Sequence, residues 1–396
     1  IRNEARDYAW GSTTLIPDFF RIPATGKPMA EIWLGTHPGS PTEVIDSLPG
    51  ATLASALGED SLKFLVKVLA AGGPLSIQAH PNEQQAQEGF ARENSLGIAI
   101  DAPNRNYRDE HHKPEMIIAL ADGFEALCGF RELSETIKLL ELLVQQGADR
   151  EQLISGWLNL LRADDLPTAF SDLMRRRGQL EHLTAAIARS AEMILASSQL
   201  SALLGDDLRA SLETVIELEQ SYPGDPGVVV SLLMNHIRLQ ENQAIYLPAG
   251  NIHAYLKGLG LEVMSSSDNV LRGGLTPKHI DITELERVLD FHGGPIPLVE
   301  NRLLASGIIQ YHCSARDFLV YRFDVSGDRV LADVENPGQS IALCTAGRVE
   351  LSNSLGESVS LGLGDAAFIS SDARLINLVG SGTLFLATDG LARRSQ

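Results

Sequence analysis

Four side chains that can bind a metal ion stand in three separate parts of the sequence. Gln78 and His80 are two residues apart, whereas Glu115 and His253 lie far from them along the chain. Positions i and i+2 of a β-strand point to the same face, so Gln78 and His80 could reach one ion. One carboxylate and three neutral ligands would leave a divalent ion with about one net positive charge. Such an ion could polarise a bound oxygen, which favours Lewis-acid chemistry over a purely structural role.

Each of these residues alone is a weak signal, since a single histidine is more often a polar residue without a metal. Their surroundings strengthen the hypothesis. His80 precedes Pro81, and His253 follows Gly250, each at the end of an apolar run. Strands give way to loops at such positions, and binding sites form there.

Composition limits the class of protein. The chain has 396 residues, of which 44% are hydrophobic and 21% charged, with a formal net charge of −19. These values predict a folded chain with room for two or three domains. The acidic balance argues against a nucleic-acid partner, and no apolar stretch is long enough to cross a membrane. Cys128, Cys313 and Cys344 are scattered and odd in number, which indicates reduced thiols and a cytoplasmic protein.

The distribution of apolar residues predicts a β-rich fold interrupted by helices. Residues 1–132 contain short β-type segments between prolines and glycines, which we assign to the first part of a catalytic domain. Helical periodicity then covers residues 133–226, with Ser134 as an expected N-cap and Gly147 as an expected C-terminal stop. We expect this helical insertion to end in the proline- and glycine-rich residues 222–227.

Short β-type segments return after the insertion. We assign residues 227–304 to the second part of the catalytic domain, with one helix near residues 283–289, and residues 305–396 to a C-terminal β-domain. Residues 242–247 and 364–369 each show a polar turn followed by a strand pattern. A duplicated jelly-roll unit and two unrelated strands with similar turns both explain this pattern. If there is a duplication, the second copy is degenerate, because it lacks the histidine that follows the first.

Several motifs, taken in order, resemble those of the type I phosphomannose isomerase family, which are zinc-dependent enzymes of the cupin superfamily. The matching segments, which include Gln-Ala-His-Pro-Asn-Glu and Lys-Pro-Glu, are residues 8–12, 30–35, 78–83, 112–116, 124–131, 248–250, 253–255, 267–272 and 276–278. The resemblance implies cupin-type jelly-roll β-domains plus a helical domain. It also implies interconversion of mannose 6-phosphate and fructose 6-phosphate. One local departure is residues 239–242, where the family usually has a Pro-Gly turn.

The resemblance also implies the composition of the site. Gln78, His80, Glu115 and His253 would bind one Zn²⁺ per chain, the same four residues that the chemistry suggests. The implied catalytic residues are Arg272, Glu262 and Lys113. The implied substrate-binding residues are Lys67, Ser76, Tyr255 and Lys278. We expect a monomer whose partner is a small phosphosugar.

An aldose–ketose isomerisation requires that a proton leave C2 and return at C1 through an enediolate. Glu262 and Lys113 are both candidates for the base, and the sequence does not choose between them. Arg272 keeps its charge and suits enediolate or phosphate better than proton abstraction. Because the whole protein is acidic, a local group of cations must recruit the anionic substrate.

Two other functions use the same residues. Two histidines and a carboxylate also form the facial triad of a cupin iron oxygenase. A non-catalytic sugar-binding cupin is the second alternative. The glutamine ligand and the lysine and arginine residues argue against the oxygenase, and the candidate bases argue against the binding protein.

Overall fold

The structure is a computed structural model that describes residues 1–45, 48–58, 61–149, 151–202, 204–305, 307–327, 338–373 and 375–390. Its helices are α1 (Leu15–Phe20), α2 (Leu53–Leu57), α3 (Glu83–Ser95), α4 (Leu133–Gln145), α5 (Leu153–Arg162), α6 (Leu166–Arg175), α7 (Glu181–Ala196), α8 (Ser198–Ser201), α9 (Asp206–Ser221), α10 (Pro226–Leu233) and α11 (Ile282–Val288).

The strands before α11 are β1 (Ala5–Arg6), β2 (Glu31–Leu34), β3 (Phe64–Ala71), β4 (Ile77–Ala79), β5 (Glu115–Ala119), β6 (Phe124–Phe130), β7 (Met234–Leu239), β8 (Ala244–Leu247), β9 (His253–Ser265) and β10 (Leu271–Gly274). The strands after it are β11 (Glu300–Ala305), β12 (Ile308–His312), β13 (Phe318–Gly327), β14 (Ser340–Asn353), β15 (Ser358–Gly362), β16 (Ala366–Ile369) and β17 (Leu375–Asp389). Helices and strands thus form a mixed protein with two antiparallel sheets.

The long strand β9 organises the first sheet, which has ten strands. It pairs antiparallel with β3, β4, β5 and β6 along different parts of its length. Every residue of β3 is buried and all but Lys67 are apolar, which is typical of a strand covered on both faces. The pairing of one strand with four neighbours brings together segments that are far apart in sequence.

The helical segment leaves and re-enters this sheet at neighbouring strands. β6 ends just before α4 and β7 begins just after α10, and the two strands pair antiparallel from Phe124↔Leu239 to Phe130↔Met234. Helices α4 to α10 share a hydrophobic core that includes Leu143, Phe170 and Ile187. The fold therefore contains a helical insertion within a β-rich unit, as the sequence predicts.

The second sheet has seven strands and contains β11 to β17. Its apolar face packs on the first sheet in one core, where Phe318 and Phe385 lie with Val66, Met116 and Val263. The similar sequence patterns of residues 242–247 and 364–369 correspond to β8 and β16. This correspondence does not decide between a duplication and a coincidence. The helix expected near residues 283–289 is α11.

Two expectations about helices in the first 150 residues were wrong in detail, and a third concerned the end of the helical insertion. The N-cap of α4 is Glu132 rather than Ser134, which lies in the first turn, and no side-chain hydrogen bond caps this end. The early part of the chain contains α1, α2 and α3, although its pattern indicated mostly strands. Helix α3 is strongly polar, with a capping box formed by Asn82 and Gln85, so it lacks the apolar periodicity that marks a helix.

The helices also continue past the proline- and glycine-rich stretch, because α10 begins at Pro226. Proline suits the first turn of a helix, where its missing N–H costs nothing. All residues of α10 are buried, so the helix has no polar face and shows no amphipathic period. At the other end of α4, Gly147 adopts a positive φ of 90° just after the helix, as expected for a C-terminal stop.

The contact between the two sheets predicts the effect of removing the second one. A chain ending at residue 304 should aggregate, because Val66, Met116 and Val263 would lose their apolar cover. The measurement is soluble yield and size-exclusion chromatography beside the full chain. A soluble and active protein of residues 1–304 would show that the second sheet is not needed to cover the first.

Candidate metal centre and active site

Strand pairing brings the four predicted ligands to one place. Gln78 of β4 pairs with His253, the first residue of β9, and His80 follows β4 directly. Glu115, the first residue of β5, pairs with Met264 near the other end of β9. The four side chains therefore come from strand ends that a single long strand aligns.

The three strongest ligands lie in direct contact. His80 Nε2 is 3.3 Å from Glu115 Oε1, and His253 Nε2 is 3.3 Å from Glu115 Oε2. All three side chains are buried, each with 1% of its surface exposed. One ligand atom from each residue lies within 4.8 Å of the other two. A single ion can therefore contact all three.

The orientation of both imidazoles also suits a metal. His80 Nδ1 donates to the main-chain carbonyl of Asn269 at 2.7 Å, and His253 Nδ1 donates to that of Asn251 at 3.0 Å. A proton held on Nδ1 leaves the lone pair of Nε2 free to bind a metal. Both Nε2 atoms and Glu115 Oε2 are buried without a hydrogen-bond partner. Buried polar atoms are rarely left so, and a divalent ion would satisfy all three.

The charges in this cluster favour the metal-binding forms of its residues. Burial, with Lys113 nearby, lowers the pKa of His80 to about 4, so the ring stays neutral near pH 7. Burial alone would raise the pKa of Glu115. Lys113 Nζ lies 3.0 Å from Glu115 Oε1. This cation and the two imidazoles outweigh the effect of burial and hold the pKa of Glu115 well below its usual range. The cluster thus presents the Glu115 carboxylate and, at His80, a neutral imidazole.

Asn269 ties His80 to the segment that leads to Glu115. Its main-chain oxygen holds His80, while its side-chain Nδ2 donates to the carbonyl oxygens of Asp109 and His111, at 2.9 Å each. Its Oδ1 accepts from the backbone N–H groups of Arg108 and Asp109. Asn269 is fully buried. One residue, through its main chain and its side chain, therefore fixes the relative positions of two segments that carry proposed ligands.

A cavity of about 500 Å³ opens beside the metal cluster. Nine of the eleven site residues predicted from the sequence line it, namely Lys67, Ser76, Gln78, Lys113, Glu115, Tyr255, Glu262, Arg272 and Lys278. The other two, His80 and His253, are buried behind Glu115. The fold thus brings the whole predicted set to one place.

A second charged network stands on the wall formed by β3 and β9. Lys67 and Glu262 are opposite each other in the β3–β9 pairing, with Lys67 Nζ 3.0 Å from Glu262 Oε2. Tyr255 OH donates to Glu262 Oε1 at 2.9 Å. Burial and the nearby carboxylates Glu115 and Glu31 raise the pKa of Glu262 in spite of Lys67. This is the direction expected of a carboxylate adjusted for proton transfer.

Glu31 completes this network and was not predicted from the sequence. Its Oε1 is 3.7 Å from Lys67 Nζ, and its Oε2 accepts from Trp33 Nε1 at 2.8 Å. Burial disfavours the charge on Lys67, but Glu262 and Glu31 outweigh it and keep its pKa above the usual value. Lys67 is therefore a fixed cation. The available signal was the i, i+2 spacing of Glu31 and Trp33, which places both on one face of β2.

A group of cations lines another part of the cavity. Arg272 is opposite Gln78 in the β10–β4 pairing, so it lies beside the metal ligands. Burial first, and then the charges of Arg272 and Arg108, lower the pKa of Lys278. Burial and Arg108 lower that of Arg272. Sequence reasoning missed Arg108, which belongs to no matching motif. The three cations form a place for an anionic group.

The departure at residues 239–242 does not disturb the site. Asn242 adopts a positive φ of 66°, which asparagine tolerates better than most residues, and thereby replaces the glycine of a Pro-Gly turn. His111, which directly precedes the His112-Lys113-Pro114-Glu115 motif, has a side chain that is 65% exposed and lies near Glu83, away from the buried cluster.

Known proteins resemble this chain over nearly its whole length. A family model described as the phosphomannose isomerase type I catalytic domain matches residues 1–133. The mannose-6-phosphate isomerase of Escherichia coli (strain K12) is 35% identical over 405 residues, covering 96% of this chain and 97% of that protein. The human mannose-6-phosphate isomerase is 32% identical over 319 residues, covering 72% of this chain and 71% of that one.

Solved structures of mannose 6-phosphate isomerases are also similar to this chain. A crystal structure of mannose 6-phosphate isomerase bound with zinc and yttrium has a TM-score of 0.84 and 31% sequence identity. The alignment covers 98% of each chain. The apo form from Salmonella typhimurium gives a TM-score of 0.84 with 32% identity and the same coverage.

The geometry of the cluster predicts how its histidines respond to substitution. His80→Ala and His253→Ala should each lower zinc affinity by more than about 100-fold, because even the outer partners of a ligand are worth ~10–100-fold. The fold should largely survive, since the buried core does not depend on the ion.

Metal content by mass spectrometry and unfolding by circular dichroism measure these two effects. His111→Ala is the matched control, because it removes an exposed imidazole and should leave zinc binding unchanged. Stoichiometric zinc in both ligand variants would show that other residues bind the metal.

Proposed function

The chain belongs to the type I phosphomannose isomerase family, and from this premise we propose how it interconverts mannose 6-phosphate and fructose 6-phosphate with zinc. The observation that carries the proposal is the buried His80–Glu115–His253 cluster at the wall of a cationic cavity. The enzyme is an aldose–ketose isomerase. The oxygenase and the non-catalytic binding protein are not favoured, because neither needs the Lys67–Glu262–Tyr255 network.

Gln78, His80, Glu115 and His253 would hold the zinc ion. When bound, the ion supplies Lewis-acid stabilisation of the negative charge that develops on the sugar oxygens. Gln78 contributes a neutral oxygen from the cavity wall, where it lies between His253 and Arg272 in the sheet. Lys113 stays paired with Glu115 and adds a positive charge at the same wall.

Glu262 is the base in this proposal. Its carboxylate faces the cavity, and its raised pKa increases its affinity for a proton. It would take the proton from C2 to give the enediolate and return it to C1. Lys67 and Tyr255 each bind one of its oxygens and so fix its orientation. Lys113 is the weaker candidate, because its ammonium is paired with Glu115.

The cations bind the two ends of the anionic substrate differently. Lys278 and Arg108 would bind the phosphate, since both lie at the exposed part of the cavity. Arg272 is half-buried between these cations and Gln78, so it would stabilise the enediolate. Ser76 lies on the same wall, two residues before Gln78, and would donate to a sugar hydroxyl.

We further propose that both sheets are jelly rolls of the cupin type and that the chain divides at residues 132, 226 and 304. The insertion of the helices between β6 and β7 supports the boundary at 132, whereas α10 continues the helical part to Leu233 and the second sheet begins with β11 at Glu300. The free thiols of Cys128, Cys313 and Cys344 support a cytoplasmic protein. No helix among the described residues is long and apolar enough to span a membrane. We propose a monomer with one zinc ion.

The function is tested by an isomerase assay with mannose 6-phosphate. Treatment with a chelator should abolish formation of fructose 6-phosphate, and addition of zinc should restore it, because the buried carboxylate and imidazoles alone offer no comparable stabilisation of the enediolate. Full activity in a sample verified to be free of metal would contradict the proposal.

The different roles proposed for Lys278 and Arg272 predict different kinetic effects when each is removed. Lys278→Ala should raise KM by about tenfold with little change in kcat, because phosphate binding is equal in substrate and transition state. Arg272→Ala should mainly lower kcat, by about tenfold to 100-fold, which is the usual worth of a charged hydrogen bond.

Steady-state kinetics of both variants separate these effects. Lys138→Ala, which removes an exposed lysine of α4, is the control and should behave like the unmodified enzyme. The assignment is wrong if both cavity variants change kcat alone by similar factors.

A further inference from the structure

The turn that carries the cationic side chains is held in an unfavourable backbone conformation. Leu275 has a positive φ of 52°, which a branched residue rarely adopts, and Gly274 has a φ of 135°. The turn joins Arg272 to Lys278, and Leu275, Thr276 and Lys278 line the cavity. Such a conformation persists only where the surroundings enforce it.

The helical segment supplies the contact that enforces it. Asp225 Oδ1 accepts hydrogen bonds from the backbone N–H groups of Leu275 and of Gly227, both at 2.7 Å. A Cβ atom on Gly274 would stand 2.6 Å from Gly227 Cα, so the two backbones touch. Asp225 is also the N-cap of α10. One carboxylate therefore joins the start of this helix to the turn.

A second residue of the helical segment holds the other side of the turn. Arg177, which follows α6, donates through one terminal nitrogen to the carbonyl oxygen of Thr276 at 2.8 Å. Thr276 Oγ1 in turn accepts from the backbone N–H of Lys278 at 3.1 Å. The turn is thus fixed between Asp225 and Arg177, neither of which lines the cavity.

We propose that Asp225 is a positioning residue for the phosphate group of the substrate, with Arg177 as its partner. This inference rests on the proposed function and gives the helical segment a role in it. Asp225 does not touch the substrate. It sets the backbone of the turn that leads to Lys278, whereas Arg272 is held by the pairing of β10 with β4, so a turn that relaxes would displace Lys278 and weaken anion binding. Zinc binding should be unaffected, because none of the four ligands lies on this turn.

The test compares three variants with the unmodified chain. Asp225→Ala removes the acceptor of two buried N–H groups and should raise KM for mannose 6-phosphate by about tenfold or more. Its kcat should change much less. Asp225→Asn keeps an oxygen acceptor and should restore KM. Asp165→Ala is the matched control: it removes the N-cap of α6, which accepts from Thr168 N, but it does not contact the turn.

Calorimetry with inorganic phosphate measures the anion site separately from turnover. Asp225→Ala should weaken phosphate binding by a similar factor and retain stoichiometric zinc. If Asp225→Ala matches Asp165→Ala in KM and in phosphate affinity, the inference is wrong. It is equally wrong if kcat falls while KM and phosphate affinity stay constant.

A fourth variant, Arg177→Ala, and the phosphate measurement cover two further outcomes. If Asp225→Ala does not fold, Arg177→Ala decides the question, since Arg177 is exposed and its loss should still raise KM and weaken phosphate binding. Unchanged values in a folded Arg177→Ala would overturn the inference. If the unmodified chain binds phosphate but forms no fructose 6-phosphate, the proposed function fails, while the phosphate measurements still test the role of Asp225.

Discussion

The burial of the Glu115 carboxylate is the constraint on which the rest of the site depends. Removing a carboxylate from water costs several kcal/mol unless opposite charges and hydrogen bonds compensate. Glu115 is 1% exposed, and Lys113 Nζ, 3.0 Å from its Oε1, supplies a positive charge that offsets part of this cost. The two imidazoles face it through atoms that have no hydrogen. A divalent ion between these three side chains would offset the charge of the carboxylate and bind the buried atoms that have no hydrogen-bond partner. The site is therefore incomplete without the ion.

This constraint explains why the cavity has two separate charged networks. The carboxylate and imidazoles lie at the ends of β4, β5 and β9, where the ion would be held. The Lys67–Glu262 pair lies between these positions on β9, after His253 and before Met264, and there a proton can be moved without releasing a proposed metal ligand. Both networks depend on one continuous strand, so their separation is set by the register of β9. Cations beyond them provide local attraction for an anion in a protein of net charge −19.

Side-chain chemistry was predictable from the sequence, whereas contacts made by the backbone were not. The residue types of the four proposed ligands indicate their chemistry, whereas the cavity residues were implied by the resemblance to a family, and Lys67, Ser76 and Glu262 lie outside its matching segments. The helical excursion was also predictable, because α7 and α9 are amphipathic. Helices α3 and α10 were missed, since one is almost wholly polar and the other is wholly buried. The roles of Asn269 and Asp225 rest on hydrogen bonds to the backbone of distant segments, which no local pattern reveals.

A crystal structure of the zinc-loaded protein, with anomalous scattering measured on both sides of the zinc edge, tests this account most directly. We predict one anomalous peak per chain, in contact with Nε2 of His80, Nε2 of His253, the carboxylate of Glu115 and the side-chain oxygen of Gln78. Asn269 and Asn251 should still accept from the two Nδ1 atoms. Zinc bound through Nδ1 of either histidine, or held by residues of the second sheet, would contradict the account.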